Sequence, residues 1–381
     1  MPVRSYTVES VIRAATILKA FKSPSEVVEL RTLTSRSKLN KATAFRLCET
    51  LVEAGLLDRV GHQGYHLLID MTPSRRYRIG YGVQSRVTPF TATVTDSLKA
   101  AASASNIDLF ILNNESSAKT ALLNADQFVR EGVQLVINAQ LHYAIADQIT
   151  AKFSDAQIPF IALDTPHPQA FYFGVDNYKA GRLAGRYLGK WALKAWNGDA
   201  TEIIMVGADF GGPDVKARLV GFHDGIRETL PRARNLQSSF LDAKGPFEKR
   251  LDTIRKLLRR RKIRRALIGA VNDTTALAAL QAFRDFGMED ECAIAGHDAC
   301  IEAREEMRRS SSRLACSVAF FPESYGPSLI KIATDILHGT QVPPATFIQH
   351  ELVTPANVNQ IYPNDSWMAL PDKPLRVAHF S

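Results

Sequence analysis

The chain has 381 residues, 45% of them hydrophobic and 23% charged, which suits two or three ordinary cores and excludes a disordered chain. Its formal net charge is +8 and its pI is near 9.3, which favours an anionic partner, nucleic acid first. No apolar run reaches membrane-spanning length, and the opening MPVRSYTVES holds no apolar signal core, so no membrane association and a cytoplasmic setting are expected. The cysteines, Cys48, Cys292, Cys300 and Cys316, form no C-x-x-C pair and no zinc-spaced cluster. Reduced thiols are expected, and no metal or other cofactor.

Residues 8–21 predict an amphipathic helix, with Val8, Val11, Ile12, Ala15, Leu18 and Phe21 at helical spacing. Ser23-Pro24-Ser25 breaks it, and residues 28–35 can form a second short helix. After the turn Lys38-Leu39-Asn40, residues 40–54 predict a third helix, with Asn40 as N-cap and Gly55 as its stop. Ala44, Leu47, Cys48 and Leu51 face inward; Asn40, Lys41, Thr43 and Arg46 face out. Residues 56–60 and 65–68 read as two strands joined by Gly61-His62-Gln63-Gly64. Three helices and a hairpin make an N-terminal α+β winged helix-turn-helix over residues 1–71, followed by a polar linker at 72–76.

The first helix, Ser10-Val11-Ile12-Arg13-Ala14-Ala15-Thr16-Ile17-Leu18-Lys19-Ala20-Phe21, and the segment from Lys38 to Leu51 resemble the DNA-binding domain of IclR-type regulators. Lys38 stands where that family usually has glycine, and Asn40 where it has proline. A β-carbon at Lys38 makes a left-handed turn harder to form. The resemblance implies a third helix that reads double-stranded operator DNA through Asn40, Lys41, Thr43 and Arg46. His62 and Gln63 in the wing are further candidates for groove or phosphate contact.

From Tyr77 onwards, apolar runs at 78–83, 109–112, 135–137, 160–163, 203–206, 266–270 and 292–295 alternate with amphipathic stretches. This alternation predicts parallel sheets with right-handed crossovers, and residues 77–363 are long enough for two α/β lobes. The divide is expected after residues 187–196, with return crossings near Cys300 and Phe320; a loose tail is expected at 364–381. Asp176 is a good N-cap for a helix in which Ala180, Gly181, Ala184 and Gly185 share one side. Glycine in a helix interior costs roughly 1 kcal/mol against alanine, so another backbone is expected to pass close. No G-x-G-x-x-G, Walker loop, nucleophile elbow or isolated carboxylate pair appears, and an enzyme is therefore not expected.

Polar groups recur where the apolar runs end: Thr88-Pro89-Phe90, Asn138, Asp164-Thr165, Gly207-Ala208-Asp209-Phe210, Asn272-Asp273 and Gly296-His297-Asp298. Open parallel sheets bind ligands beyond the carboxyl ends of their strands, and carboxylates, amides and an aromatic there suit a polyhydroxylated ligand. The order of these residues resembles sugar-binding type I periplasmic binding proteins and LacI/GalR-type effector domains. Carried over onto matching positions, that resemblance implies a ligand set of Thr88, Phe90, Asn138, Asp164, Arg218, Asn272 and Asp298. Phe320 replaces a glutamine common in the family, and Asp176 is read as capping, not as ligand contact. The basic run Arg255 to Arg265 reads as a solvated helix end, with a second nucleic-acid contact the lesser reading. Together these readings predict a cytoplasmic homodimeric transcription regulator, a repressor by expectation, with a monosaccharide or polyol as effector. A regulator that senses a nucleobase or phosphorylated metabolite is the first alternative, and a sugar transport binding protein the second.

Overall fold

The computed structural model describes residues 7–22, 26–61, 64–68, 76–85, 88–208 and 212–367. The chain separates into two compact units, 1–76 and 77–381. His62 and Gln63, most of the linker, Asp209 and Phe210, and the end of the tail lie outside the described residues.

The first unit contains α1 (Glu9–Leu18), β1 (Val27–Glu29), α2 (Leu30–Ser37), α3 (Lys41–Glu53), β2 (Leu57–Val60) and β3 (Gly64–Leu67). The strands form an antiparallel sheet in the order β1-β3-β2. Ile17, Leu33, Ala44, Cys48, Leu57 and Tyr65 are buried together at its centre. The second helix starts two residues later than its sequence pattern predicts, because the β-branched pair Val27-Val28 extends against β3 first. The apolar face predicted for α1 is not all inward: Val8, Val11 and Ile12 are exposed, while Ile17 and Leu18 are buried. Arg36 ties the turn after α1 to α2, donating to both Glu26 carboxylate oxygens and to the Ala20 carbonyl. Lys38 is left-handed (φ 56°) despite its β-carbon, and so takes the conformation that a glycine would hold without strain.

The second unit begins with β4 (Arg78–Val83), α4 (Pro89–Ala104), β5 (Asp108–Asn113), α5 (Ala118–Arg130), β6 (Leu135–Ala139), α6 (Ala146–Asp155), β7 (Phe160–Leu163) and β8 (Phe171–Gly174). It continues with α7 (Asn177–Trp196), β9 (Glu202–Gly207), α8 (Gly212–Thr229), β10 (Gln237–Asp242), α9 (Phe247–Arg260), β11 (Ala266–Ala270), α10 (Asp273–Asp285), β12 (Cys292–Asp298), α11 (Ile301–Met307) and β13 (Leu314–Ala319). It closes with α12 (Tyr325–Leu337), β14 (Ala345–Phe347), β15 (Glu351–Val353) and α13 (Val358–Ile361). Two six-stranded sheets result, β14-β8-β7-β6-β4-β5 and β10-β9-β11-β12-β13-β15. In each, the five main strands run parallel in the same order, 2-1-3-4-5, with helices on both faces. Only β15 is antiparallel to its neighbour in the second sheet.

The chain crosses between lobes at 175–176, at 320–321 and at 348–350, since β8 and β14 belong to the first sheet and β13 and β15 to the second. This corrects two expectations. The first crossing precedes α7 instead of following it, because α7 packs on the second sheet through β12 and β13. Cys300 is not a crossing, because α11 returns directly to β13 within the same lobe.

The small residues of α7 do face another backbone. A β-carbon on Gly181 would meet the Arg218 carbonyl at 1.8 Å, and one on Gly185 the Phe222 carbonyl at 2.0 Å. The partner helix α8 answers with Gly221 and Gly225, whose β-carbons would meet the Tyr178 and Arg182 carbonyls at 2.2 and 2.3 Å. Glycine on both helices removes the spacing that side chains would impose, and α7 thereby fixes the start of α8. The ordered chain continues past residue 363: Asp365 accepts from Arg304 at 2.6 Å and Arg308 at 3.0 Å. Among the described residues no helix is long and apolar enough to cross a membrane.

Candidate functional site

In the first unit, α3 presents Lys41, Ala42, Phe45 and Arg46 to solvent, with Thr43 half-buried. Asn40 is exposed and caps the helix, its Oδ1 accepting from the Thr43 N–H at 2.8 Å. That leaves the Asn40 amide free to donate outward. Tyr65 in β3 donates to Glu49 at 2.8 Å, and Arg59 in β2 lies 3.6 Å from the same carboxylate. The wing strands are therefore fixed against the outward face of α3. Burial pushes the Cys48 thiol up to about 11, which keeps it a protonated core group. The exposed Phe45 and Ala42 are absent from the sequence-based set; their helical offset from Lys41 and Arg46 was the signal available.

In the second unit, the predicted ligand residues lie at the carboxyl ends of both sheets. Arg218, one turn and a half into α8, is the best-defined group. Its Nε donates to Asn177 Oδ1 at 2.9 Å, it donates to the Val271 carbonyl, and its guanidinium lies 5.0 Å from the Phe320 ring centroid. The carboxylates of Asp298 and Asp164 both favour its charge against the burial that opposes it. Phe320, where the resembling family has glutamine, is thus a platform for the cation; cation–π contact over a buried ring is favourable. His297 stacks on Phe320 at 6.1 Å, and burial followed by Arg218 pushes it down to about 3, so it is neutral.

Asp164 and Asp298 both leave their strands with positive φ, 63° and 103°. Such backbone is costly for a residue with a β-carbon and gathers at functional sites. Burial pushes the Asp164 carboxyl up to about 6, opposed by Arg218, and its Oδ1 has no partner among the described residues. Burial first, and the Asp273 carboxylate second, hold Asp298 well above the usual carboxylate range. Asp273 itself is a structural group, fully buried, accepting from the Cys300 N–H at 2.8 Å and the Ser317 hydroxyl at 2.7 Å.

Asn138 is buried on β6, with its Nδ2 unpaired among the described residues. The adjacent Gly82 makes room for it, since a β-carbon there would sit 2.5 Å from Asn138 Oδ1. Phe90 packs edge-on against Tyr325, ring centroids 5.8 Å apart, and touches the apolar clusters of both lobes. Two predicted residues are engaged in capping. Thr88 Oγ1 contacts the Thr91 N–H and hydroxyl at the start of α4. Asn272 Oδ1 accepts from the Thr275 N–H and hydroxyl and from Arg250. Asp176 also caps, accepting from the Lys179 N–H at 3.0 Å.

Sequence reasoning missed Asn177, Arg250, Tyr172 and Tyr325. Tyr325 is 1% exposed with an unpaired hydroxyl, and Tyr172 donates to the Val175 carbonyl at 3.1 Å. Only Asn177 had a legible signal, as the residue after a helix cap; the others come from helices and from a strand that carry no end-of-strand mark. The basic run is partly internal to the fold, with Arg255, Arg261 and Arg265 paired to Asp285, Glu202 and Asp199. No group of three or more metal-ligating side chains occurs among the described residues.

A cation on an aromatic, two carboxylates, a buried amide and a buried phenol are the groups this arrangement offers a polar ligand. Two families match the chain, an IclR helix-turn-helix domain over residues 10–61 and a periplasmic binding protein domain over residues 79–341. Among solved structures, an ABC transporter solute binding protein from Mycobacterium smegmatis with bound glycerol is 21% identical with TM-score 0.67, covering 74% of this chain and 96% of its own. A Bacillus halodurans C-125 solute binding protein with bound myo-inositol is 21% identical with TM-score 0.65, covering 76% and 98%. The Caulobacter myo-inositol binding protein is 18% identical with TM-score 0.66, covering 78% and 99%. At these identities the likeness carries the fold alone. None of the curated proteins matches the chain.

Proposed function

We propose that this chain, which belongs to the periplasmic binding protein domain family over residues 79–341 and carries an IclR helix-turn-helix domain ahead of it, is a ligand-responsive transcription regulator. The observation that carries the reading is the union of the two modules in one chain: a helix with exposed polar residues in the first unit, and in the second a set of buried polar groups, several of them unpaired among the described residues. The α3 residues Asn40, Lys41, Thr43 and Arg46 read operator DNA. Asn138, Asp164, Arg218 and Asp298, with Phe90, hold the effector, while Thr88 and Asn272 shape the rim from their caps.

The effector is a monosaccharide or polyol. Adjacent hydroxyls match carboxylate and guanidinium geometry, Phe90 supplies an apolar face, and similar folds hold glycerol and myo-inositol. The protein acts in the cytoplasm as a homodimeric repressor in the manner of LacI/GalR-type proteins and catalyses no reaction. Exposed Val8, just ahead of α1, and Val11 and Ile12 on it offer a second copy an apolar face. The linker at 72–76 joins the reading unit to the ligand unit.

Thermal unfolding against pentoses, hexoses, polyols, sugar phosphates and purines tests the receptor half. An effector at 100 times its Kd adds about 2.7 kcal/mol of stability, and Asp298→Ala cancels the rise. A rise with only a purine or a phosphate removes the sugar assignment, and a rise with none of them removes the receptor role.

A further inference from the structure

We infer that Phe45, with Ala42, reads the 5-methyl group of thymine in the DNA major groove; this deepens the DNA-reading role proposed above and rests on it. Phe45 is 41% exposed, although the core of its own unit closes directly beneath it at Ala44 and Cys48. Ala42 lies one turn earlier on the same side of α3 and is also exposed. The two are the exposed apolar residues of a concave groove of about 840 Å³ between α2, α3 and the wing strands, whose floor includes the buried Leu30 and Tyr65.

The same groove is lined by Arg31, Lys41 and Arg59, one cation from each of these three elements. Among the described residues neither Arg31 nor Lys41 makes an ion pair, and Arg59 lies at 3.6 Å from Glu49. An apolar centre ringed by cations matches one surface chemistry well. Phosphates flank the major groove, and thymine's methyl is the one apolar group that base edges present there. Phe45 sits in the N-terminal half of α3, the part of a recognition helix that reaches base edges. The polar candidates on α3 account for hydrogen-bonding contacts; Phe45 accounts for a thymine preference beside them.

The full chain is used to select duplexes from a random pool at fixed salt. Each thymine of the enriched site is then replaced, one at a time, by deoxyuridine, which removes only the methyl. At one position per half-site, binding weakens about fourfold, the worth of one buried methyl. Phe45→Ala erases that difference while leaving sensitivity elsewhere unchanged, and Phe45→Leu retains it. Because Phe45 is exposed, both variants keep their thermal midpoints, which melting verifies. Indifference to deoxyuridine at every position, or sensitivity that survives Phe45→Ala, overturns the assignment to Phe45 alone. Failure of any sequence to enrich overturns the DNA-reading role and this inference with it.

Discussion

The two lobes of the second unit share a strand order but prepare their sides of the site differently. The second lobe delivers groups already engaged: Arg218 is held by Asn177, Val271 and Phe320, and Asn272 by Thr275 and Arg250. The first lobe delivers three groups left wanting, Asn138 Nδ2, Asp164 Oδ1 and the Tyr325 hydroxyl, buried and unpaired among the described residues, against one, His297 Nε2, at the strand ends of the second lobe. Buried polar groups are almost always satisfied, so such orphans mark where a partner belongs. One lobe is preorganised, and the other gains most when a ligand arrives. Binding should therefore be anchored on the second lobe and should stabilise the first.

The largest effect comes from removing the anchor. Arg218→Ala leaves Asp164 and Asp298 without their shared cation and is expected to cost about 3 kcal/mol in denaturant unfolding. It should also abolish the effector-dependent rise in Tm. Retention of that rise would show that the second lobe is not the anchor. Next is the helix pair that positions Arg218. Gly185→Ala forces a methyl against the Phe222 carbonyl, with an expected loss of about 2 kcal/mol by overpacking. The first lobe has a one-sided counterpart, Gly326 against the Ser97 carbonyl at 2.1 Å, and Gly326→Ala should cost less because only one helix is glycine-spaced.

Arg46→Ala, in the unit that contains neither lobe, should weaken operator binding at least tenfold, about 1.4 kcal/mol, in a mobility-shift titration. Effector binding should be unaffected; loss of both would break the division between the units.

The smallest effect distinguishes the lobes most sharply. Asp164→Asn relieves a buried carboxylate, and where the other substitutions destabilise it should raise stability at pH 7. The sign follows from a folded pKa of about 6 against 3.8: the folded form prefers the proton, so stability falls as pH rises from about 4 through 6. Effector affinity should run the other way, rising with pH through about 6 as the carboxylate becomes able to accept hydroxyls. Calorimetry at pH 5 and pH 7 checks this, and Asp164→Asn should flatten the difference.

Much of the fold was legible because it rests on local periodicity. Residues 78–83, 160–163 and 266–270 were predicted with the bounds observed. The glycines of α7 foretold a close backbone before any partner helix was known. What was illegible depends on contacts distant in sequence. Strand β10, QSSFLD, carries too few apolar residues to stand out, and pairing with β9 alone defines it. The first crossing was misplaced because helix α7 is equally amphipathic whichever sheet it covers. Within the site, end-of-strand residues were visible, but Tyr325 reaches it from the first residue of α12 and Arg250 from the first turn of α9. Nothing local marks either one.

The three crossings at 175–176, 320–321 and 348–350 have a mechanical consequence. Two bodies joined by a single strand can twist, slide and separate, whereas three tethers running side by side resist all of these except a turn about the line they share. The second unit then has one soft coordinate. A single pair of labels, one on α5 and one on α9, would suffice to follow its whole working stroke.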